Sequence, residues 1–165
     1  MKDSDGVLLR SAQASDQDWL FDTYKATLKP YVEWAWGWDE TFQREGFLKH
    51  HPLHEFQVVM FSDQMAGGLH VEEQDTRHFV RMIFLAPAFQ NLGLGTRLLL
   101  SEMRKAHLLG KALHLKVVKI NRAKALYERM GFKTVDHDQA TFHMAVVPPS
   151  SQNSIRPGLI NEVGL

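Results

Sequence analysis

Hydrophobic positions change their spacing several times along the chain, and each change predicts a new element of secondary structure. A short strand is expected at residues 6–10. A helix with apolar residues at helical spacing follows, and Pro30 should end it, because proline lacks the N–H that an inner helical turn needs. A second helix should begin within residues 39–41 and end at Pro52.

Three strand-like runs come next, and turns of only a few residues separate them. The runs lie at 55–61, 65–71 and 78–85, and the third is rich in β-branched and aromatic residues. Connections this short join neighbouring antiparallel strands. The middle of the chain is therefore predicted to form an antiparallel meander.

The pattern changes after Pro87, where a glycine-bearing loop leads into a helix at 94–109 and then into a buried-looking strand at 112–118. The strand–helix–strand order requires this strand to lie parallel to the third strand of the meander, through a right-handed crossover. The last predicted elements are a helix and two strands, at 121–130, 132–135 and 141–147. Together they predict an α/β fold, with a mixed, mainly antiparallel central sheet of six to seven strands flanked by about four helices.

The chain is interpreted as one domain, because neither an internal repeat nor a domain linker interrupts these elements. The domain covers residues 1–147. From 148 onwards the composition shifts to Ser, Gln, Asn, Pro and Gly, which predicts a flexible tail at 148–165.

The composition excludes several kinds of chemistry. The 165 residues include no cysteine, which rules out disulfides, thiolate metal ligands and cysteine nucleophiles. No apolar run reaches the roughly 20 residues that span a bilayer, and the first residues are polar, with no apolar signal core. The expectation is a cytoplasmic protein with no membrane partner.

Charge is balanced over the whole chain but not along it. Residues 1–75 hold 14 acidic and 6 basic residues, a net charge of −8, whereas residues 96–133 hold 10 basic and 2 acidic residues, a net charge of +8. A basic segment suits a polyanionic ligand. The alternative is two solvated surfaces of different charge.

Three histidines that lie close together, His50, His51 and His54, suggest a metal site. Pro52 interrupts the helix that would place the first and the last of them on one face. No metal site is therefore predicted.

A glycine loop at 90–96 lies between a predicted strand and a predicted helix. Glycine lets the backbone turn sharply, and the first N–H groups of a helix have no partner within it. Such a loop can hold a pyrophosphate, although it lacks the Gly-Lys-Ser/Thr of a Walker loop and the third glycine of a dinucleotide fingerprint. The alternative is an ordinary strand-to-helix turn.

A second pattern begins 26 residues after Gly95, at Asn121. Asn121 is a good N-cap for the last helix, and Tyr127 lies nearly two turns further along it. Both would stand near the carboxyl ends of the strands, where open α/β sheets bind their ligands.

The run FLAPAFQNLGLG at 84–95 resembles motif A of the GCN5-related N-acetyltransferases, and the run NRAKALYERMGF at 121–132 resembles their motif B. In element order the resemblance extends over residues 6–147. It implies acetyl-coenzyme A as the acetyl donor and no metal. The residues that it assigns to coenzyme A are Ile83, Leu85, Gln90, Asn91, Leu92, Gly93, Leu94, Gly95, Thr96, Asn121 and Tyr127.

Within that set, the resemblance implies that residues 90–96 bond the pyrophosphate, mostly through backbone N–H groups. Ile83 and Leu85 would pair their backbones with the pantetheine arm, and Asn121 would bond the arm or the pyrophosphate. Tyr127 would stand beside the sulfur as general acid.

Acetyl transfer to an amine also needs a base, because an amine with a pKa near ~10.4 is protonated at neutral pH. Many members of the family carry a glutamate on the strand that leads into motif A, whereas this strand has no carboxylate. The first choice here is Glu72, and a proton path through water is an equal alternative. The other candidates are Glu73, His70 and His78.

Three tryptophans within five residues mark the segment that is expected to link the first two helices. Aromatic rings beside carboxylates favour a cation. The hypothesis is that this segment binds an amine-bearing acceptor through Glu33, Trp34, Trp36, Trp38 and Asp39. Packing between helices and a dimer contact are the alternatives.

The leading interpretation is an N-acetyltransferase in which the amine attacks acetyl-coenzyme A directly, in a ternary complex. The acceptor is expected to be a small molecule or a peptide, and no nucleic acid is expected as a partner. The alternative function is a non-catalytic sensor that binds acyl-coenzyme A. The protein is expected to be a monomer or a homodimer.

Overall fold

The computed structural model describes residues 6–148 as one seven-stranded sheet with helices on both faces. The strands are β1 (Val7–Ser11), β2 (Phe56–Phe61), β3 (Gln64–Glu73), β4 (Arg77–Leu85), β5 (Ala112–Val118), β6 (Lys133–His137) and β7 (Thr141–Val146). The helices are α1 (Gln17–Trp36), α2 (Glu40–His50), α3 (Leu94–Leu108) and α4 (Ala123–Arg129). The order of the predicted elements and the α/β fold are confirmed, and the tail expected at 148–165 lies, from residue 149 onwards, outside the described residues.

The strands are arranged in the order β1-β2-β3-β4-β5-β7-β6. Every neighbouring pair is antiparallel except β4 and β5, which are parallel as the crossover through α3 requires. The meander and the mixed character of the sheet are therefore confirmed. Among residues 6–148, no helix combines the length and the apolar composition needed to cross a membrane.

Each face of the sheet has its own hydrophobic core. The first core lies under α3 and α4, and its buried side chains include Leu98, Leu115 and Tyr127. The second core lies under α1 and α2, and it is mostly aromatic, with Phe21 and Phe47 among its buried members. Burying both faces of a mixed sheet in this way leaves the ends of the strands as the open part of the molecule.

Pro30 does not end the first helix, which contradicts the sequence prediction. The helix α1 continues through Pro30 to Trp36. Proline removes one helical hydrogen bond, but Leu28 and Val32, on either side of it, both pack against the second core. Burial of these two side chains offsets the missing bond. The prediction for α2 is confirmed, because the Asp39 side chain caps its first turn by accepting from the Phe42 N–H at 2.8 Å.

Asp16 ties the first strand to the first helix, and replacing it should destabilise the protein. Its carboxylate accepts two hydrogen bonds from Arg10, at 2.7 and 2.9 Å, and a third from the Gln13 N–H at 2.8 Å. Bonds to a buried charged group contribute about 1.5–3 kcal/mol each. Since Arg10 is partly exposed, we expect Asp16→Asn to lower the free energy of unfolding at pH 7 by about 2 kcal/mol in total.

The same contacts set the pH at which this contribution disappears. The Arg10 hydrogen bond is the main reason why the pKa of Asp16 lies below its usual value of 3.8. The contribution is therefore complete above pH 3.8 and is lost as the pH falls through the lowered pKa. Urea unfolding should show a smaller difference in the free energy of unfolding between the wild type and Asp16→Asn near pH 3 than at pH 7. A difference of equal size at both pH values would contradict this account. An equal loss of stability at pH 7 in the exposed control Asp18→Asn would also contradict it.

Candidate active site

The two parallel strands at the centre of the sheet separate after a short paired stretch. Pairing of β4 with β5 begins at Arg77 and Ala112 and ends at Val80 and Leu115, although both strands continue. An extra residue on β4, Arg81, lies between the positions that pair with β3, and such a bulge bends a strand. We call the resulting gap, between residues 81–85 and 116–118, the fork.

Backbone groups of β4 point into the fork. The N–H of Ala86 bonds to the carbonyl of Ala66 in β3 at 2.7 Å, which fixes the alternation along the strand. Ile83 and Leu85 accordingly direct their N–H and C=O groups away from β3 and towards the fork. The Gln90 side chain donates to the Leu85 carbonyl at 2.9 Å. The open edge can therefore pair with an extended ligand, as a further strand would.

The loop after β4 presents N–H groups to the same region. Asn91 and Gly93 adopt left-handed conformations, with φ of 61° and 78°, and no side chain caps α3. The first helical hydrogen bond runs from the Arg97 N–H to the Gly93 carbonyl, at 3.1 Å. The N–H groups that precede it, in Leu94, Gly95 and Thr96, have no partner within the helix. Together with the positive end of the helix dipole, they suit an anion such as a pyrophosphate.

Tyr127 lies in the first core, to which Ile83 and Leu85 of the fork also belong. Its ring centroid lies 5.8 Å from that of Phe132. Burial raises the pKa of the phenol to about 12, so the hydroxyl is protonated at neutral pH and can donate a proton. Helix α4 begins at Ala123, two residues later than predicted, and the Asn121 side-chain oxygen accepts from the Ala123 N–H at 2.9 Å.

Glu72 stands beside the bulge. Its carboxylate pairs with Arg81 at 3.1 Å and also accepts from the Gln74 amide at 3.2 Å. The carboxylate is partly exposed, so water can reach it. The role of Glu72 as the base stays a prediction. As a base, Glu72 would have to take a proton while it is paired with Arg81.

Two of the other base candidates are engaged in contacts away from the fork. Glu73 pairs with Lys111 at 3.1 Å, at the end of β3. His78 bonds Glu102 of α3 at 3.0 Å, and both side chains are buried under that helix. Neither lies beside the part of β4 that is open.

The remaining candidate, His70, is part of a chain of polar side chains inside the second core. The Nδ1 atoms of His51 and His70 lie 2.8 Å apart, and His70 Nε2 lies 3.1 Å from a carboxylate oxygen of Glu55. Burial lowers the pKa of His51 to about 3 and also lowers the pKa of His70, against the opposing effect of Glu55. Sequence reasoning selected His70 alone, because the three residues meet only through the fold.

A cavity of about 310 Å³ lies between α2 and β4, and we call it the α2 cavity. Met82, the first β4 residue after the bulge, contributes to its wall, and His51 opens on it from the end of α2. Its lining residues are Tyr24, Phe42, Gln43, Glu45, Gly46, Phe47, Lys49, His50, His51 and Met82.

A second cavity, of about 320 Å³, lies over β4 and β5, and we call it the cationic cavity. It is lined by Gln74, Arg77, Phe79, Val80, Arg81 and Lys116. Arg81 and Lys116 are the first residues beyond the last paired positions, so one cation stands on each side of the fork. Three basic side chains around one cavity favour a negatively charged group. Sequence reasoning did not predict this cavity.

The tryptophan segment is mostly helical, and only its residues 37–39 link α1 to α2, whereas the sequence prediction made the whole segment a link. Trp34 and Trp36 lie within α1 and are 50% and 64% exposed. Trp38 packs against Phe21 and Tyr24, and the Lys29 ammonium stands 5.5 Å from its ring centroid.

Glu33 and Asp39 are both exposed, and Asp39 is the cap of α2. Neither these two carboxylates nor the three tryptophans line either of the two cavities. Binding of an amine-bearing acceptor by this group stays a prediction.

Comparison with known sequences assigns most of the chain to one family. A family model described as "Acetyltransferase (GNAT) domain" matches residues 39–149. No similar sequence is found among curated proteins.

Solved structures of low sequence identity share the fold. The PaiA N-acetyltransferase from Thermoplasma acidophilum, in complex with coenzyme A, is 19% identical, with a TM-score of 0.67 over 86% of this chain and 98% of the other. The ribosomal-protein-S18-alanine N-acetyltransferase from Escherichia coli is 19% identical, with a TM-score of 0.63 over 86% and 93%. Arabidopsis thaliana Naa50, in complex with the bisubstrate analogue CoA-Ac-MVNAL, is 13% identical, with a TM-score of 0.57 over 85% and 97%.

Proposed function

The chain belongs to the GNAT family of acetyltransferases, and on that premise we propose that it transfers the acetyl group of acetyl-coenzyme A directly to an amine in a ternary complex. The observation that supports this most is the fork. It has an open strand edge next to a loop of N–H groups, and the protonated phenol Tyr127 packs in the same core as Ile83 and Leu85. These are the parts needed to hold an extended thioester with a diphosphate at its far end.

In this proposal the diphosphate of coenzyme A binds at loop 90–93 and at the N–H groups of residues 94–96. The pantetheine arm then runs along β4 and pairs with the backbones of Ile83 and Leu85, as a short added strand. Asn121 lies beyond the end of β5 and supplies its amide nitrogen, because its oxygen already caps α4. The neighbour from Thermoplasma acidophilum, which is in complex with coenzyme A, supports this placement by analogy.

The chemistry then needs three groups around the thioester. A base takes a proton from the amine as its nitrogen attacks the carbonyl carbon. A backbone N–H of β4 stabilises the negative charge that develops on the carbonyl oxygen. Tyr127 gives its proton to the sulfur as the C–S bond breaks, since its raised pKa keeps it protonated until that moment. Glu72 is the base expected from the sequence.

The acceptor is proposed to be an amine on a small molecule or a peptide. Peptidic acceptors find support in the neighbours, one of which acts on an alanine of ribosomal protein S18. The cationic cavity adds a preference, because Arg81 and Lys116 stand on both sides of the fork. Amines that also carry a carboxylate or a phosphate should therefore be better acceptors than the same amines without one.

The acceptor class is tested by a panel of matched amines, such as amino acids beside their decarboxylated analogues and short peptides with different N-terminal residues. Thiol release from acetyl-coenzyme A is measured for each amine. Release that depends on the amine supports the enzyme, and a higher kcat/KM for the anionic member of each pair supports the acceptor class. Tight binding of coenzyme A without release on any amine would indicate the non-catalytic sensor instead.

The placement of the diphosphate gives a prediction for Gly93, which is left-handed and has open space around the position of an added Cβ. A left-handed conformation costs alanine about 1–2 kcal/mol. Gly93→Ala should therefore distort the loop and raise the Kd for coenzyme A by about tenfold. Titration calorimetry measures this value.

Gly110→Ala is the matched control, because Gly110 is also left-handed, also has open space around it, and lies at the other end of α3. It should reduce stability by a similar amount and leave the Kd unchanged. Equal effects of the two variants on coenzyme A binding would contradict the placement.

A further inference from the structure

The chain Glu55–His70–His51 has only one arrangement of protons when both histidines are neutral. A carboxylate can only accept, so His70 Nε2 must carry the hydrogen that bonds to Glu55. Neutral His70 then has a bare Nδ1, which accepts a hydrogen from His51 Nδ1 at 2.8 Å. The remaining nitrogen, His51 Nε2, is left as a bare lone pair.

That lone pair is open to the α2 cavity. Among residues 6–148, His78 Nδ1 is the only fully buried side-chain nitrogen or oxygen atom without a hydrogen-bond partner. His51 Nε2 has no hydrogen-bond partner either, so it cannot be fully buried. Because the His51 side chain lines the α2 cavity, that cavity is where the nitrogen is exposed. The fixed tautomers therefore direct a hydrogen-bond acceptor into open space.

The chain lies one strand away from the fork. His70 is the direct cross-strand partner of Met82, the first β4 residue after the bulge. Met82 also lines the α2 cavity, together with His51. Direct partners in neighbouring antiparallel strands have Cα atoms about 4.5–5.5 Å apart. The α2 cavity, which His51 lines, therefore borders the fork at Met82.

We propose that His51 is the general base for the acceptor amine, and that His70 and Glu55 are positioning residues that hold its Nε2 bare and relay the proton. The inference rests on the proposed acetyl transfer. It supplies the base that β4 itself lacks and replaces Glu72 in that role.

The proton movements balance along the chain. The ammonium form of the acceptor first gives one proton to water. As the nitrogen of the neutral amine then bonds to the carbonyl carbon, one N–H bond breaks and its proton passes to His51 Nε2. The hydrogen on His51 Nδ1 moves to His70 Nδ1, and the hydrogen on His70 Nε2 moves to the Glu55 carboxylate. The C–S bond breaks, and the sulfur takes its proton from Tyr127. After the product leaves, the chain runs in reverse and releases its proton to water, and Tyr127 regains a proton from solvent.

The electrostatics around His51 explain why a relay is needed. The ring is buried and has Arg81, His70 and His50 near it, all of which oppose a positive charge on it. Glu55 is half-exposed at the other end of the chain. Moving a proton along the chain neutralises this carboxylate and leaves no cation on His51, so the buried imidazole never has to hold a charge.

Kinetics of histidine variants test the proposal. His51→Gln should lower kcat by about a hundredfold or more, the range expected for the loss of a general base, and should leave the Kd for coenzyme A unchanged. His50→Gln is the matched control, because His50 is adjacent, lines the same cavity and lies outside the chain. Glu72→Gln tests the competing base. A kcat of His51→Gln within about twofold of the wild type, with a large loss in Glu72→Gln, would overturn the proposal.

The positioning residues need a measurement that a merely structural role would not change. Glu55→Gln should lower kcat and Glu55→Asp should restore most of it, since only a carboxylate can take the proton. Nitrogen-15 NMR of the wild-type histidines should show His51 protonated at Nδ1 and bare at Nε2 at pH 7, and Glu55→Leu should give a mixture of tautomers. A His51 protonated at Nε2 in the wild type would overturn the relay.

These measurements separate the two levels of inference. Absence of thiol release by the wild type on every amine would contradict the proposed function itself. Amine-dependent release by the wild type that persists in His51→Gln would contradict only the assignment of the base.

Discussion

Gly67→Ala should be among the most destabilising single substitutions in this protein, with a loss of about 3 kcal/mol or more in the free energy of unfolding. A Cβ built on Gly67 in β3 would lie 2.1 Å from the carbonyl oxygen of Phe84 and 3.1 Å from the Cα of Leu85. Both neighbours are backbone atoms of β4, so no side-chain rotation relieves the overlap. The strand itself must move.

The displaced strand is the one that borders the fork, so the same substitution should also weaken coenzyme A binding. Thermal unfolding should show a loss of about 6–12 °C, at about 2–4 °C for each kcal/mol in a protein of this size. Gly46→Ala is the matched control, because its added Cβ would meet only the His50 ring, at 3.8 Å, within helix α2. Alanine in a helix should raise stability there by about 0.5–1 kcal/mol. A Gly67→Ala protein as stable as Gly46→Ala would contradict the close approach of the two strands.

The order of elements could be predicted from the sequence because each depends on local spacing and on local terminating residues. Asp39 marks the start of α2 through its own cap, and Gly93 and Gly110 lie at the two ends of α3. The parallel placement of β5 followed from the strand–helix–strand order alone. These features need no knowledge of distant contacts, and they are the ones that the structure confirms.

The continuation of α1 through Pro30 could not be predicted in the same way. A local rule weighs the missing hydrogen bond and the ring of the proline, and it predicts an end to the helix. The opposing free energy comes from Leu28 and Val32, which pack against a core that also includes buried residues of α2, β2 and β4. Only the tertiary structure shows that burial outweighs the local penalty.

The same distinction separates the two halves of the candidate site. The loop at 90–96 and the helix that follows Asn121 could be predicted, because each motif is contiguous and its hydrogen bonding is local. The bulge at Arg81 has no residue signature in the chain, and the contact between His51 and His70 spans 19 residues. The family resemblance covers only the residues assigned to coenzyme A. The residues proposed to act on the acceptor amine could be identified only from the fold.

Tyr127→Phe should lower kcat for acetyl transfer by about a hundredfold at pH 7, with little change in the Kd for coenzyme A. Phenylalanine keeps the buried ring beside Phe132 and removes only the hydroxyl. Because burial raises the pKa of the wild-type phenol to about 12, the proton donor is present throughout an assay range up to pH 10. Steady-state kinetics on an amine from the acceptor panel, beside calorimetry of coenzyme A, measures both quantities.

The pH dependence of that loss distinguishes an acid from a ring that only packs. A thiol with a pKa near ~8.5 leaves unaided as a stable thiolate above that pH. The difference in kcat between the wild type and Tyr127→Phe should therefore become smaller as the pH rises towards 10. Tyr24→Phe is the matched control, because Tyr24 is a buried phenol in the second core whose pKa is likewise raised by burial. It should cost stability at most, and leave the pH profile of kcat unchanged. A gap between the wild type and Tyr127→Phe that stays constant with pH would mean that the hydroxyl acts through packing, and that the sulfur leaves without its proton.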